Sequence, residues 1–398
     1  MSDVGGPDPL DRPEPDPLVL PMRCEQTRDY PVVISNGLPD PKAITPGAPV
    51  DRRALVVTTP TVDRLHGDGF RRWVSSTGMD AVVDVRPLTE HRKTMEEALA
   101  ISAVAQEHGL GRRDVMIAFG GGVCSDVVSV AASLTRRGIA HITVPTTLVG
   151  QVDAGIGLKG GVNFGGRKNY LGCFSPPEIA LIDPAYLRTL PERELRCGMA
   201  EIVKMALVRD RAFFDLLRNE GSNLITSSFQ EPPELARWVI ARAAELMLEE
   251  LGPNTYEDRT LQRLVDFGHT FSSSLEEVSS YRLRHGEAVA VDMALSCELA
   301  VGLNILDAET CGAVLDTLEL FGLPVSSPFT TIDAAERGLE VTVAHRGGDL
   351  NLVVPSALGK GTFVVDRDDV TPELLERSIE RLRARSERLV VSPGVDRP

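Results

Sequence analysis

The chain has 398 residues, of which 42% are hydrophobic and 25% charged, and it carries a formal net charge of -15. This length exceeds what one hydrophobic core usually fills, so two domains are expected. The acidic balance excludes general affinity for nucleic acid or anionic membranes, and cations for any anionic substrate must be gathered locally. Neither a run of about 18 apolar residues nor a basic-then-apolar leader is present, which predicts a cytoplasmic protein without a membrane partner. Six cysteines without CxxC spacing fit reduced, buried thiols rather than a zinc cluster or disulfide framework.

Residues 1–21, rich in Pro and Asp, bury too little apolar surface to order themselves and read as a disordered tail. From Met22 to about Gly47, short apolar runs such as PVVIS predict one or two edge strands. Strand and helix then alternate: ALVVTTP, a helix over 62–77, AVVDVRP, a helix over 94–108, VMIAFGGG, a helix over 126–136, and HITVPTT. This alternation predicts an α/β, Rossmann-like domain over 22–188, with a parallel sheet between helices. Beyond it, helical periodicity dominates over 195–208, 212–219, 233–250, 258–277, 286–302 and 308–320, so residues 189–398 read as a mainly α-helical domain. LNLVVPSALGKGTFVV predicts a short hairpin, and residues 372–389 a closing amphipathic helix.

Chemistry concentrates between Val144 and Lys204. Three of the chain's six lysines, Lys159, Lys168 and Lys204, fall there among many glycines. An ammonium is a compact point charge suited to phosphate and to proton handling, whereas Arg offers a planar fork. Gly120, Gly121 and Gly122 end a strand and open a helix through Ser125 and Asp126, a place where backbone N–H groups can meet a pyrophosphate; a plain tight turn fits the same pattern. Glu201 in MAEIVK, His269 in DFGHTF and His285 in LRHGEAVAVDMA could together form a three-ligand metal site with open positions. Either His alone reads equally as a hydrogen-bonded core residue, and Glu201 with Lys204 as an exposed ion pair.

The ordered motifs GGGVCSDVV, RRGIAHITVPTTL, VDAGIGLKGGVN, GRKNYLG, TLPERELRCGMAEIVK, DFGHTF and HGEAVAVDM over about 270 residues resemble the dehydroquinate synthase superfamily of sugar phosphate cyclases. The resemblance implies an NAD-binding N-terminal domain, a helical domain holding a divalent metal (Zn2+ or Co2+), and a homodimer. It implies Glu201, His269 and His285 as metal ligands. Glu90, Lys93, Gly121, Gly122, Ser125, Asp126, Thr146, Thr147, Lys159, Lys168 and Thr189 are implied as cofactor-binding positions. Asp153, Lys159, Lys168, Asn169 and Lys204 match substrate-site positions, and Arg137 would reach the phosphate from the neighbouring subunit. Thr59 and Thr61 replace an Asp and an Asn that contact the adenosine in the family.

Departures from the family narrow the substrate. Leu248, Gln262, Asp266 and Ser273 stand where dehydroquinate synthases carry Lys, Arg, Asn and His, so the partners of a substrate carboxylate are missing. Asp266 can instead accept hydrogen bonds from a hydroxymethyl group. MLEELGPNTYE, VDFGHTFS and AHRGGDLNLVVP are similar to the sedoheptulose 7-phosphate cyclases that form 2-epi-5-epi-valiolone. Gly160, Arg167 and Ser273 depart from that branch too, which keeps the 2-epi-valiolone branch as an alternative. The implied reaction on sedoheptulose 7-phosphate is a transient oxidation by NAD, β-elimination of phosphate, re-reduction and intramolecular aldol closure. Asp153, Lys159, Lys204, Asn169, Arg137 and Asp266 would serve it, with Arg346 a further candidate for phosphate. A polyol dehydrogenase of the glycerol dehydrogenase type and a non-enzymatic sugar-phosphate sensor are the competing classes.

Overall fold

The computed structural model describes residues 20, 22, 29–39 and 52–391. The tail expected over residues 1–21, apart from Leu20, and the stretch 40–51, where a second edge strand is expected to end, lie outside the described residues. The first part alternates as anticipated through β1 (Val32–Ile34), β2 (Arg53–Thr58), α1 (Pro60–Ser76), β3 (Asp80–Val85), α2 (Met95–Glu107), β4 (Val115–Gly120), α3 (Gly122–Leu134) and β5 (Ala140–Pro145). A hairpin of β6 (Lys159–Phe164) and β7 (Arg167–Phe174) follows, and β8 (Ile179–Ile182) returns to the sheet. The sheet has six strands, all paired in parallel, in the order β1-β8-β5-β4-β2-β3.

Its central strands read as unbroken apolar runs because both faces are covered. Leu55, Val57, Met116 and Ala118 alternate onto the cluster with α2 and α3, while Val56, Ile117 and Phe119 pack toward α1. There Phe70 stacks on Phe119 with ring centroids 3.8 Å apart. Each such side chain contributes about 1.5–3 kcal/mol on full burial. The β6–β7 hairpin was not anticipated from its glycine-rich sequence; Gly165 and Gly166, at φ 57° and 76°, supply the left-handed turn that closes it.

The second part is helical: α4 (Glu192–Arg209), α5 (Arg211–Thr226), α6 (Pro233–Leu251), α7 (Ser272–Val278), α8 (His285–Gly302), α9 (Ala308–Leu320) and α10 (Ile332–His345) precede the hairpin β9 (Leu352–Ala357) and β10 (Lys360–Val364), and α11 (Pro372–Val391) closes it. The continuous helix expected over 258–277 is absent. That stretch holds a short 3-10 turn, Leu264–Asp266, then a loop, and becomes helical only at Ser272. Gly268 explains the break: it sits at φ 73°, and a Cβ there would come within 2.9 Å of Val289. The largest apolar cluster joins Leu148, Val152, Ala180 and Ile182 to α4 and α8, so sheet and helices share one core. Among the described residues no helix is long and apolar enough to cross a membrane.

Candidate active site

Four chain segments meet where the sheet's carboxyl edge faces the helices. α4 is buried without a break from Cys197 to Val208 and presents Glu201 and Lys204, three residues apart, on one face. The first turn of α8 lies directly against α4 because residue 286 is glycine; a Cβ there would come within 2.3 Å of the Cys197 backbone. That approach brings His285 to Glu201, one turn along α4 from Cys197. His269 enters from the loop before α7, not from a helix as the sequence suggested. A π-helical turn, Gly150–Ala154, adds Asp153. Ligand atoms of Asp153, Glu201, His269 and His285 all lie within 4.8 Å of one another.

The donor set fits a divalent cation. His285 Nε2 lies 3.1 Å and His269 Nε2 3.9 Å from Glu201 Oε1. The other ring nitrogens are engaged: Nδ1 of His269 donates to the Phe267 carbonyl at 3.0 Å, and Nδ1 of His285 pairs with Glu276 at 2.9 Å. Both rings therefore turn a lone pair on Nε2 inward, the arrangement typical of metal-binding histidines. Lys204 Nζ stands 2.7 Å from Glu201 Oε2, yet neither buried Glu201 oxygen has a well-aligned hydrogen bond. A carboxylate buried in this way is costly unless a cation meets it. Burial, then Lys204, pushes His269 down to about 4, so it is neutral and free to coordinate. For His285, burial and Lys168 oppose the proton, but Glu276 and Glu201 prevail and hold it up to about 9. A metal bound there displaces that proton, so its binding releases a proton and depends on pH. Burial raises Asp153 above its ordinary value, with Lys204 opposing and Glu201 adding.

Beside this pocket runs a charged rim that sequence reasoning largely missed. Lys159 and Arg263 both pair with the same oxygen of Glu257, and Arg263 and Arg346 both pair with Asp266. Arg263 and Arg346 are thus already engaged by carboxylates of this chain, Glu257 and Asp266. Arg346 is not free for phosphate, since it is buried and its Nη1 is spent on the Leu350 and Asn351 carbonyls. Gln262 is exposed and donates to Asn351 Oδ1 at 3.1 Å. Burial, then Arg263, lowers Lys159 to about 8.

The glycine turn has the form of a phosphate cradle. α3 starts at Gly121 with no side chain capping its first N–H groups, and the buried Ser125 hydroxyl finds no partner. Side chains on Gly121 or Gly122 would come within 3.0 Å of Thr147 or 3.1 Å of Ala154, tight contacts that bare backbone avoids. Thr147 caps Gly150 N at 3.1 Å, and buried Thr146 donates its N–H to Gly120. Lys93 is buried and already bound to Asp126 and, at 2.6 Å, to Asn169; Glu90 accepts from Asn163 at 3.1 Å. Burial raises Asp126 despite Lys93.

Two expected residues stand apart. Thr189 is exposed and hydrogen-bonds His66 of α1 at 2.8 Å. Arg137 is exposed past the C-terminal end of α3. Nine residues of helix, about 13 Å, separate Ser125 from Leu134, and Arg137 lies beyond that end, away from its own chain's cradle. Thr59 caps α1 by accepting from Val62 N. Glu276, Glu257, Arg263 and Asn163 were not singled out from sequence, and only the seven-residue step from His269 to Glu276 offered any signal.

A sheet whose carboxyl edge carries a phosphate cradle, opposed to a helical body with a three-ligand pocket, defines a nucleotide- and metal-dependent enzyme of the α/β-plus-helical class. Residues 84–197 match the family described as 3-dehydroquinate synthase N-terminal, and residues 198–340 match 3-dehydroquinate synthase C-terminal. The chain belongs to the 3-dehydroquinate synthase family. It is 43% identical over 357 residues to 2-epi-5-epi-valiolone synthase of Streptomyces glaucescens, covering 89% of this chain and 91% of that protein. It is 35% identical to 3-dehydroquinate synthase of Synechococcus sp. (strain CC9605), covering 89% and 95%. Among solved structures, ValA, the 2-epi-5-epi-valiolone synthase of Streptomyces hygroscopicus subsp. jinggangensis 5008 with NAD+ and Zn2+ bound, superposes with a TM-score of 0.86 at 40% identity, covering 92% of this chain and 100% of that one.

Proposed function

We propose that this protein is a sugar phosphate cyclase that converts sedoheptulose 7-phosphate to 2-epi-5-epi-valiolone with NAD and a divalent metal, Zn2+ or Co2+. The observation that carries the reading is the convergence of Glu201, His269 and His285 on one buried point, beside Lys204, in a chain whose relatives at this identity are valiolone synthases. When bound, NAD would accept and return a hydride, and the metal would act as a Lewis acid toward the sugar. Residues 22–188 serve the nucleotide and part of the sugar-phosphate site, and 189–398 the metal and the rest of the sugar site.

Glu201, His269 and His285 hold the metal. Gly121, Gly122, Ser125, Thr146 and Thr147 take the pyrophosphate, while Glu90, Lys93 and Asp126 shape its flank. Lys204 Nζ and the Asp153 carboxylate manage the proton of the C5 hydroxyl as it is oxidised. The ketone acidifies C6, so the C6 proton and the C7 phosphate leave together as inorganic phosphate. Lys159, Lys168 and Asn169 hold that phosphate, with Arg137 of the partner subunit. Exposure of Arg137 past the end of α3 leaves it open to a partner subunit, which favours a homodimer. After the hydride returns, the ring opens and the C7 enol closes on the C2 ketone. Asp266, clamped by two arginines, retains lone pairs for the substrate's hydroxymethyl end. Free thiols at all five described cysteines agree with a cytoplasmic enzyme.

Incubation with sedoheptulose 7-phosphate and catalytic NAD should release one phosphate per sugar without accumulating NADH. NADH that grows in step with product would show net oxidation, as in polyol dehydrogenases, and overturn the reading.

A further inference from the structure

Glu276 lies on α7 and is 2% exposed, deep enough that an unpaired carboxylate would be costly. Its two oxygens are divided. Oε1 meets His285 Nδ1 at 2.9 Å, and Oε2 meets Lys168 Nζ at 2.6 Å. Lys168 belongs to β7 of the hairpin, which packs against α3 of the first part, whereas α7 and α8 belong to the helical body. The Lys168 main chain approaches the same helix, donating to Glu277 Oε1 at 3.4 Å. One carboxylate thus joins a metal-binding imidazole on one side of the cleft to a lysine on the other.

We propose that Glu276 is a positioning residue with two separable duties: it fixes the His285 tautomer that presents Nε2 to the metal, and it anchors Lys168 across the cleft for the anionic ligand. The inference rests on the metal-site reading above. The two duties need different chemistry. The imidazole N–H requires only an acceptor, and an amide oxygen supplies one. The ammonium requires negative charge, and the NH2 of an amide turned toward it repels it. Glu276→Gln therefore keeps the first duty and abolishes the second, while Glu276→Ala abolishes both.

The test measures Zn2+ affinity of the full chain by competition with a chromophoric chelator, the visible spectrum of the Co2+-loaded protein, and KM for sedoheptulose 7-phosphate. Circular dichroism establishes that each variant is folded. Glu276→Ala should bind Zn2+ about 10- to 100-fold more weakly, the usual loss when the partner of a metal-bound His is removed. Glu276→Gln should keep Zn2+ affinity within a few-fold and an unshifted Co2+ spectrum, yet raise KM by about tenfold. Lys168→Met should match Glu276→Gln in both readouts. Equal Zn2+ affinity in Glu276→Ala and the unaltered protein would overturn the inference, as would identical behaviour of the Ala and Gln variants. Failure of the unaltered protein to bind Zn2+ would instead defeat the metal-site reading, and this inference with it.

Discussion

The metal pocket and the charged rim lie side by side and are built on opposite rules. In the pocket, valence is left open: two imidazoles turn Nε2 toward a carboxylate whose oxygens lack aligned donors. In the rim, charge is closed on itself, with Lys159 and Arg263 on Glu257, and Arg263 and Arg346 on Asp266. An open set of ligands around the buried Glu201 carboxylate suits a resident cation, whose binding energy can offset desolvation. A closed set of paired charges suits a visitor that comes and goes, because each carboxylate keeps a cation when the visitor leaves. The contrast teaches where permanence and exchange are located in one cleft.

The sharpest way to break this contrast is Glu201→Ala. Loss of Lewis-acid assistance is worth several kcal/mol, so turnover should fall on the order of 10^4-fold. Metal content by plasma emission should fall with it, while NAD binding by calorimetry survives. Full activity in a metal-free variant would erase the distinction. Next is Lys204→Met, which leaves Glu201 and Asp153 facing each other without their shared ammonium. Removing one member of a buried pair should lower the stability of the metal-free protein by about 3–5 kcal/mol in urea unfolding. A change below about 1 kcal/mol would show that Lys204 is not the internal counter-ion. Gly268→Ala forces a side chain into a left-handed conformation and against Val289, and should cost about 1–2 kcal/mol by thermal unfolding. It should also weaken Zn2+ binding, because His269 is the next residue.

The rim is sharpened by pH. Lys159 is charged below about 8 and neutral above it, a proton made less favourable by burial and by Arg263. Phosphate needs the charged form, so kcat/KM of the free enzyme should fall as pH rises through about 8, by at most tenfold per pH unit. Lys159→Arg keeps its charge throughout and should flatten that limb. An unchanged limb would assign it to another group.

Much of the pocket was legible in the sequence because its ligands sit in compact motifs, and the glycine beside His285 sits where α4 and α8 touch. The rim was not legible. Leu248 and Gln262 read as two lost cations and Asp266 as a gained anion, whereas the clamp of Arg263 and Arg346 on Asp266 depends on side-chain directions that no periodicity encodes. The stretch 258–277 looked helical because its apolar spacing allowed it, whereas one left-handed glycine makes it a loop and sets His269 on a turn. Glu276 was equally hidden. Its meaning arises only when α7 meets the β6–β7 hairpin, a hairpin whose glycines concealed its strands.

The most direct test of the account is the NMR spectrum of the product formed from sedoheptulose 7-phosphate by the Zn2+-loaded enzyme. The account predicts a dephosphorylated six-membered carbocycle with the configuration of 2-epi-5-epi-valiolone and no net change in NAD. A spectrum of 2-epi-valiolone, of an open-chain ketone, or of unchanged sugar phosphate would contradict it.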